Sequence, residues 1–418
     1  MLTYLIKTTE SLILVTVILG LILAYSRNYF EDKGKRVMLI GTVLGVISSI
    51  VMSYMKNATS RIDTSWWNLR IFGLALVAFV LFLVFTIKKV AEKTGKVGAW
   101  IQWLALAILD FTAILYTFPD VWAYPYGFLQ TGQTIVSTDF LYKFIGYLFG
   151  LILMFVFGLA VYQSAKRTDD KALSLVLKIA LLVNAIRQLS VGLQIMLARR
   201  MITSNHTLFT IAKYTSNYSN VFLYGEMVLA LILPIVLLIA GMHVNEPYEN
   251  PAQKRKIIAK WRNTRRWAIT VFVTLLLAIM NMTVVKAYDN REVALSPVED
   301  TVVKEGAVYV SFEQVEDGHL HRFAYESESG TQIRFIVIKK PNSSSYGIGL
   351  DACDICGETG YYEKDGQVVC KLCDVVMNVN TIGFKGGCNP IVIDYHIENG
   401  NIVVPIDTLL QYEVEFKR

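Results

Sequence analysis

The chain has 418 residues, 54% of them hydrophobic, with a formal net charge of +6 and a mean hydropathy of +0.44. That is too apolar for a soluble protein of this length, because a soluble core needs apolar faces rather than continuous apolar runs. The basic residues sit mostly in short loops between such runs, so they read as topology signals and not as a nucleic-acid footprint.

Taken in chain order, eight apolar runs approach the roughly 20 residues a helix needs to cross a bilayer. They cover about 5–25, 37–55, 70–87, 98–117, 140–164, 172–197, 220–243 and 266–286. The first, from Leu2 to Tyr25, carries Glu10 and lacks a small-residue cleavage site, so it reads as a retained helix and not as a cleavable signal peptide. Odd-numbered loops are basic: Arg27, Lys33, Lys35 and Arg36; Lys88, Lys89, Lys93 and Lys96; Lys166, Arg167 and Lys171; and a run from Lys254 to Arg266. The fourth loop, Phe118 to Asp139, has no Lys or Arg and offers Trp122, Tyr124, Tyr126 and Phe128 to a membrane interface. The second and sixth loops are less clean, with Lys56, Arg61 and Arg70, and Arg199, Arg200 and Lys213. The positive-inside rule then places odd loops in the cytoplasm and both chain termini outside it.

Ionisable groups inside spans are costly and usually face protein or a cavity. Glu10, Asp110, Arg187 and Glu226 are such groups, and under this topology all four lie in the outer halves of their helices. They read as a polar route for metal or electrons, as a docking cup on that side, or as buried ion pairs such as Asp110 with Arg187 that fix helix packing.

After about residue 287 the composition changes. The expected organisation is a transmembrane helical domain over 1–287, a polar linker over 288–306 with Pro297, and a small mainly-β domain over 307–418. The runs AVYVSF, HRFAYE, QIRFIVI, QVVC, NPIVIDYHI and NIVVPI have β-branched and aromatic content, and Pro341-Asn342 and Asn399-Gly400 read as turns.

All five cysteines lie in this last part. Cys353 and Cys356 form one C-x-x-C pair, and Cys370 and Cys373 form a second after thirteen intervening residues. Cys388 follows after fourteen more, in Gly386-Gly387-Cys388-Asn389-Pro390. Two such pairs are a strong metal signal, since two short loops can present four thiolates to one centre. A sulfur shell suits Zn²⁺, iron or iron–sulfur chemistry, or Cu⁺. A structural zinc ribbon, disulfides in an oxidising compartment and a thiol-redox site all remain open on spacing alone. Cys388 is a fifth ligand, a free thiol or a replacement for one of the four. Further candidate ligands are His319 and His321, which alternate on an expected strand and could form a second site with Glu313, and His396, which could support the cysteines.

The stretches Asp351-Ala352-Cys353-Asp354-Ile355-Cys356-Gly357, Gly360-Tyr361-Tyr362, Val369-Cys370-Lys371-Leu372-Cys373, Asn380-Thr381-Ile382-Gly383 and Gly386-Gly387-Cys388-Asn389-Pro390 resemble a bacterial family of Fe–S-containing membrane proteins of unknown function. The resemblance covers about 300–415 and, by general layout, the membrane part. It implies a plasma-membrane protein with a redox-active metal site and a role in iron acquisition. The partners it implies are an iron permease, an extracytoplasmic iron-binding protein and thioredoxin-like proteins.

Other chemistry has no support. No Walker motif, Gly-rich dinucleotide loop or hydrolase triad stands out. No Arg-Glu-x-x-Glu motif lies in a span, and no paired intramembrane histidines are present for haem; His243 sits at a helix end and His206 in a loop. Methionines in the spans, such as Met196, Met227, Met280 and Met282, read as packing residues. The functional expectation is a membrane-anchored metal or Fe–S redox protein that assists iron uptake. The alternatives are a transporter subunit with a zinc-stapled docking domain and a thiol–disulfide relay.

Overall fold

The computed structural model describes residues 1–59, 62–128, 137–203, 205–242, 246–289, 294–341, 343–364 and 366–417. Arg61, His243 and Asn342 lie outside the described residues, as does part of the fourth loop. The chain forms two compact units, Met1–Asn290 and Arg291–Arg418.

The first unit is a helical bundle: α1 Leu2–Tyr29, α2 Asp32–Ala58, α3 Thr64–Phe85, α4 Lys88–Ala123, α5 Thr138–Ala165, α6 Asp170–Ala198, α7 His206–Asn217, α8 Asn220–Met242 and α9 Pro251–Met280. All but the short α7 are long and apolar enough to cross a membrane, which gives the eight spans expected from the sequence. A π-helical turn at Asn281–Val285 leads from α9 into a last turn, α10, Lys286–Asp289.

α1 is the most enclosed span. It is apolar all round, and Ile13, Val17, Ile18, Leu21 and Ile22 are all buried, as a helix at the centre of a bundle requires. By contrast Leu39, Ile40, Val43, Leu44, Ile47 and Ile50 of α2 stand exposed, the signature of a lipid-facing side. Close helix approach depends on small residues. At Gly20 of α1 an added Cβ would come within 2.9 Å of Val161 Cγ1 and 3.1 Å of the Gly158 carbonyl on α5.

Polar ties close the ends of α1 and α9. Asn281 donates to Thr9 Oγ1 at 2.8 Å, and Lys286 pairs with Glu10 at 2.6 Å. The basic run Lys254–Arg266 lies on the N-terminal part of α9 and not in a loop. Lys88, Lys89 and Lys93 open α4 ahead of a kink at Gly95, whose φ of 55° interrupts the helix.

Among the described residues the second unit carries three antiparallel sheets. One has the order β1 (Val302–Lys304), β2 (Ala307–Ser311), β10 (Asn401–Pro405), β9 (His396–Glu398). The next is β3 (His321–Glu326), β4 (Gln332–Lys339), β5 (Tyr346–Leu350), and the last is β6 (Tyr361–Lys364), β7 (Gln367–Cys370), β8 (Val376–Met377). A short helix, α11 Phe312–Val315, follows β2.

β4 explains why QIRFIVI reads as a continuous apolar run. Side chains alternate faces along a strand, and both faces of β4 are covered. Ile333, Phe335 and Val337 join one core with Val308, Phe323, Leu350 and Val404. Ile336 and Ile338 join a second core with Tyr361, Val368, Cys353 and Cys370. The cysteines thus sit on the far side of β4 from the main core.

Residues 294–304, part of the stretch expected to be a linker, are built into this unit. β1 pairs with β2, and the Glu299 amide donates to the Arg322 carbonyl at 2.8 Å. The segment NPIVIDY is not a strand. Even so, Ile391 bonds by backbone to both Leu350 and Ala352, which holds it beside the end of β5.

Candidate metal centre

Three loops carry the five cysteines, and each is shaped by its backbone. The first leaves β5 at Leu350 and passes through Asp351 and Ala352. Cys353 and Gly357 exchange backbone hydrogen bonds of 2.9 and 3.2 Å, and the Cys356 amide donates to Cys353 Sγ at 3.1 Å. Gly357 sits at φ 66°, in the left-handed region where a side chain is strained. The second loop repeats the device at the end of β7: the Asp374 amide donates to the Cys370 carbonyl, and the Cys370 amide donates to the Val375 carbonyl, both at 3.0 Å. The third follows Gly386 and Gly387, both at positive φ, and the Cys388 carbonyl accepts from Tyr361 Oη at 2.7 Å.

These loops bring the five sulfurs together in two groups. Cys353, Cys356 and Cys388 form one, and Cys356, Cys370 and Cys373 form the other; within each the sulfurs lie within 4.8 Å of one another. Cys373 Sγ and Cys388 Sγ stand 3.7 Å apart, linking the groups. Cys353 and Cys370 are buried, Cys356 and Cys388 are half-buried, and Cys373 is exposed. The site is therefore anchored in the core and open at one corner.

The donor set fits a metal. Three thiolates bound at about 2.3 Å around one ion stand about 4 Å from each other, which the observed spacing accommodates. Thiol acidity fits as well. Burial pushes the Cys356 thiol well up, and its neighbours Cys373 and Cys370 push it further. Burial also raises Cys370, while Cys388 is raised first by its hydrogen bond with Cys373. Burial opposes ionisation of Cys373 too, but the Val375 amide and the surrounding thiols outweigh it and lower its value. A cation removes this conflict, because it replaces the protons that crowded thiols otherwise keep.

Behind the cysteines lies a buried ionic hub. Arg322 is 1% exposed and Asp351 is fully buried; Arg322 Nε donates to Asp351 Oδ2 at 2.7 Å. Arg334 reaches the same oxygen at 3.2 Å. Asp351 Oδ1 accepts from the Tyr361 amide at 2.9 Å, and Arg322 also bonds to the Tyr361 carbonyl. Arg322 Nη1 donates to both the carbonyl and the hydroxyl of Ser296 at 2.6 Å. The hub thus fastens the first cysteine loop, the tyrosine that holds Cys388, and the N-terminal segment of the unit. Its members stand in the sequence as Arg322 inside HRFAYE, Asp351 before the first cysteine pair and Tyr361 after Gly360, and nothing in their spacing joins them.

The histidines lie elsewhere. Neither group of converging ligand atoms contains one among the described residues. His319 precedes β3 instead of alternating with His321 along it, is exposed, and pairs with Glu363 at 2.9 Å. His321 is buried between Glu299 at 3.0 Å and Asp317 at 2.8 Å. Glu313 is exposed on α11, so no site of His319, His321 and Glu313 is assembled. His396 is exposed on β9, 3.9 Å from Glu398.

Of the membrane residues, Glu10 is paired with Lys286 as above. Asp110 is buried and accepts from Thr42 at 2.5 Å, so it is not paired with Arg187. Arg187 stacks over Tyr116 at 5.5 Å and interacts electrostatically with Glu226. Glu226 is 1% exposed, and among the described residues neither of its carboxylate oxygens has a hydrogen-bond partner.

Residues 315–416 match the family described as membrane iron-sulfur containing protein FtrD-like. The FtrD-like match lies within the second unit and takes in all five cysteines. Its description agrees with the eight membrane-length helices and with a cysteine cluster that can hold a metal. No curated protein and no solved structure matches the chain.

Proposed function

We propose that this chain is a membrane-anchored redox metalloprotein of the bacterial plasma membrane, which assists iron uptake by passing electrons or metal outside the cytoplasm. The observation that carries the reading is the convergence of five sulfurs with one exposed corner at Cys373. A purely structural staple has no need of an open corner, whereas transfer to a partner requires one. An iron or iron–sulfur centre held by Cys353, Cys356, Cys370, Cys373 and Cys388 would supply one-electron chemistry. The protein's own part is to fix the sulfurs through the Arg322–Asp351–Tyr361 hub and to keep Cys373 accessible.

The FtrD-like match supports the iron–sulfur part of the reading, and the alternation of basic loops supports an extracytoplasmic second unit. The partners that suit this role are an iron permease, an extracytoplasmic iron-binding protein and a thioredoxin-like donor. The buried Glu226 and Asp110, with the half-buried Arg187, would line a polar route in the outer half of the bundle.

Growth of the host under iron limitation tests the reading. Replacing Cys353 and Cys370 together by Ser should abolish the benefit the protein confers, with its membrane level unchanged. Undiminished growth would overturn the reading. One observation favours a second role, a thiol–disulfide relay: Cys373 and Cys388 are 3.7 Å apart and Cys373 is exposed. A metal-free protein that cycles between thiol and disulfide would select it.

A further inference from the structure

We propose that Cys356 is a bridging ligand shared by two metal positions, so that the five cysteines hold a dinuclear centre and not a single ion. The proposal rests on the metal reading above and gives it a stoichiometry and an arrangement.

Two C-x-x-C pairs alone point to one four-sulfur shell, with Cys388 left over. The structure divides the sulfurs differently. Cys356 lies within 4.8 Å of each of the other four sulfurs, converging with Cys353 and Cys388 in one group and with Cys370 and Cys373 in the other, and Cys373 also approaches Cys388 at 3.7 Å. Three sulfurs suffice to hold one soft ion and leave a coordination position open, as sites that exchange a ligand do. Sharing Cys356 is what gives each position three.

The loop geometry suits a shared position. Cys356 is held in place by its own amide, which donates to Cys353 Sγ at 3.1 Å. The 3.7 Å approach of Cys373 to Cys388 closes the other side between the two groups.

The two positions also differ in access. The one formed with Cys353 and Cys388 has no fully exposed ligand, whereas the one formed with Cys370 and Cys373 has Cys373 at the surface. The second is therefore the position that exchanges with a partner.

The test uses the full chain in detergent, reduced, stripped of metal and reloaded with Cd²⁺. Wild type should take up two cadmium ions per chain and give two cadmium NMR resonances. In a cysteine-labelled sample the β-protons of Cys356 should correlate with both resonances, and those of the other four cysteines with one each. Cys388→Ser and Cys370→Ser should each lower uptake to one ion. Uptake of a single ion by wild type, or correlation of Cys356 with one resonance only, overturns the proposal without recourse to any variant. The outcome is separable from the iron-uptake reading. Two bridged ions in a protein whose cysteine variants grow normally without iron keep the dinuclear centre and remove that reading. One ion with impaired growth does the reverse.

Discussion

Arg322 carries a full charge into the interior of the second unit, and its cost is offset only because every part of the guanidinium is engaged. Removing one partner of such a buried pair leaves the other charge stranded, at a cost of about 3–5 kcal/mol. Asp351→Asn should therefore lower the unfolding temperature of the second unit sharply and weaken metal retention with it, since Asp351 also holds Tyr361 and through it Cys388. A scanning-calorimetry trace with an unchanged transition would contradict this account of the hub.

His321 makes a second, milder statement at the same scale. Burial lowers its basicity, but the hydrogen bonds and charges of Asp317 and Glu299 together outweigh burial and raise it. A raised histidine contributes stability in full below its unfolded value of about 6.5 and loses that contribution as pH rises through the folded value. His319 is raised as well, by Glu363, so both act in the same direction. Thermal stability of the second unit should fall as pH rises above about 6.5, and His321→Gln should flatten most of that slope. An unchanged slope in the variant would show that His321 is not the titrating group. From sequence alone these histidines resembled metal ligands because two of them stood two residues apart. What decides their role is the pair of carboxylates that the fold brings from positions 299 and 363, which no local spacing reveals.

Among the elements, β4 and α1 show where local pattern was enough. A strand covered on both faces must be apolar throughout, so QIRFIVI was readable at once, and so was the turn at Asn399-Gly400, where both residues take positive φ between β9 and β10. The strands that escaped notice, β5, β6 and β8, are short or rich in Gly and Tyr and are held by pairing partners instead of by their own propensity. β1 was hidden for the same reason inside an apparent linker. In the bundle, α7 is too short to register as a span, and the basic start of α9 looked like a loop because charge masks a helical continuation. Helix packing yields its own prediction. Gly20→Leu places a side chain against Val161 and the Gly158 carbonyl, an overpacking that typically costs about 1–3 kcal/mol. The bundle of that variant should melt at a lower temperature in detergent, and an unchanged melt would mean that α1 and α5 are not closely apposed there.

For the whole molecule, the eight spans were legible because apolar runs of membrane length need no tertiary information. The cysteine cluster was legible as one able to hold a metal, but the central place of Cys356 among the five sulfurs was not, because spacing gives loops and not the distances between them. The proposed orientation rests on the asymmetry of Lys and Arg between alternate loops. All five cysteines lie in the second unit, so a thiol reagent that cannot cross the membrane should label metal-depleted protein on intact spheroplasts. Labelling only after the cells are broken would place the second unit in the cytoplasm and end the extracytoplasmic reading.

The central claim is that the cysteines hold a redox-active metal. It is met most directly by purifying the full chain without oxygen and measuring its elemental content together with its visible spectrum before and after reduction. The account predicts iron bound to the protein and a visible band that bleaches reversibly, with both lost when Cys353 and Cys370 are replaced by Ser. A colourless protein containing only zinc, or none of these metals, would contradict it.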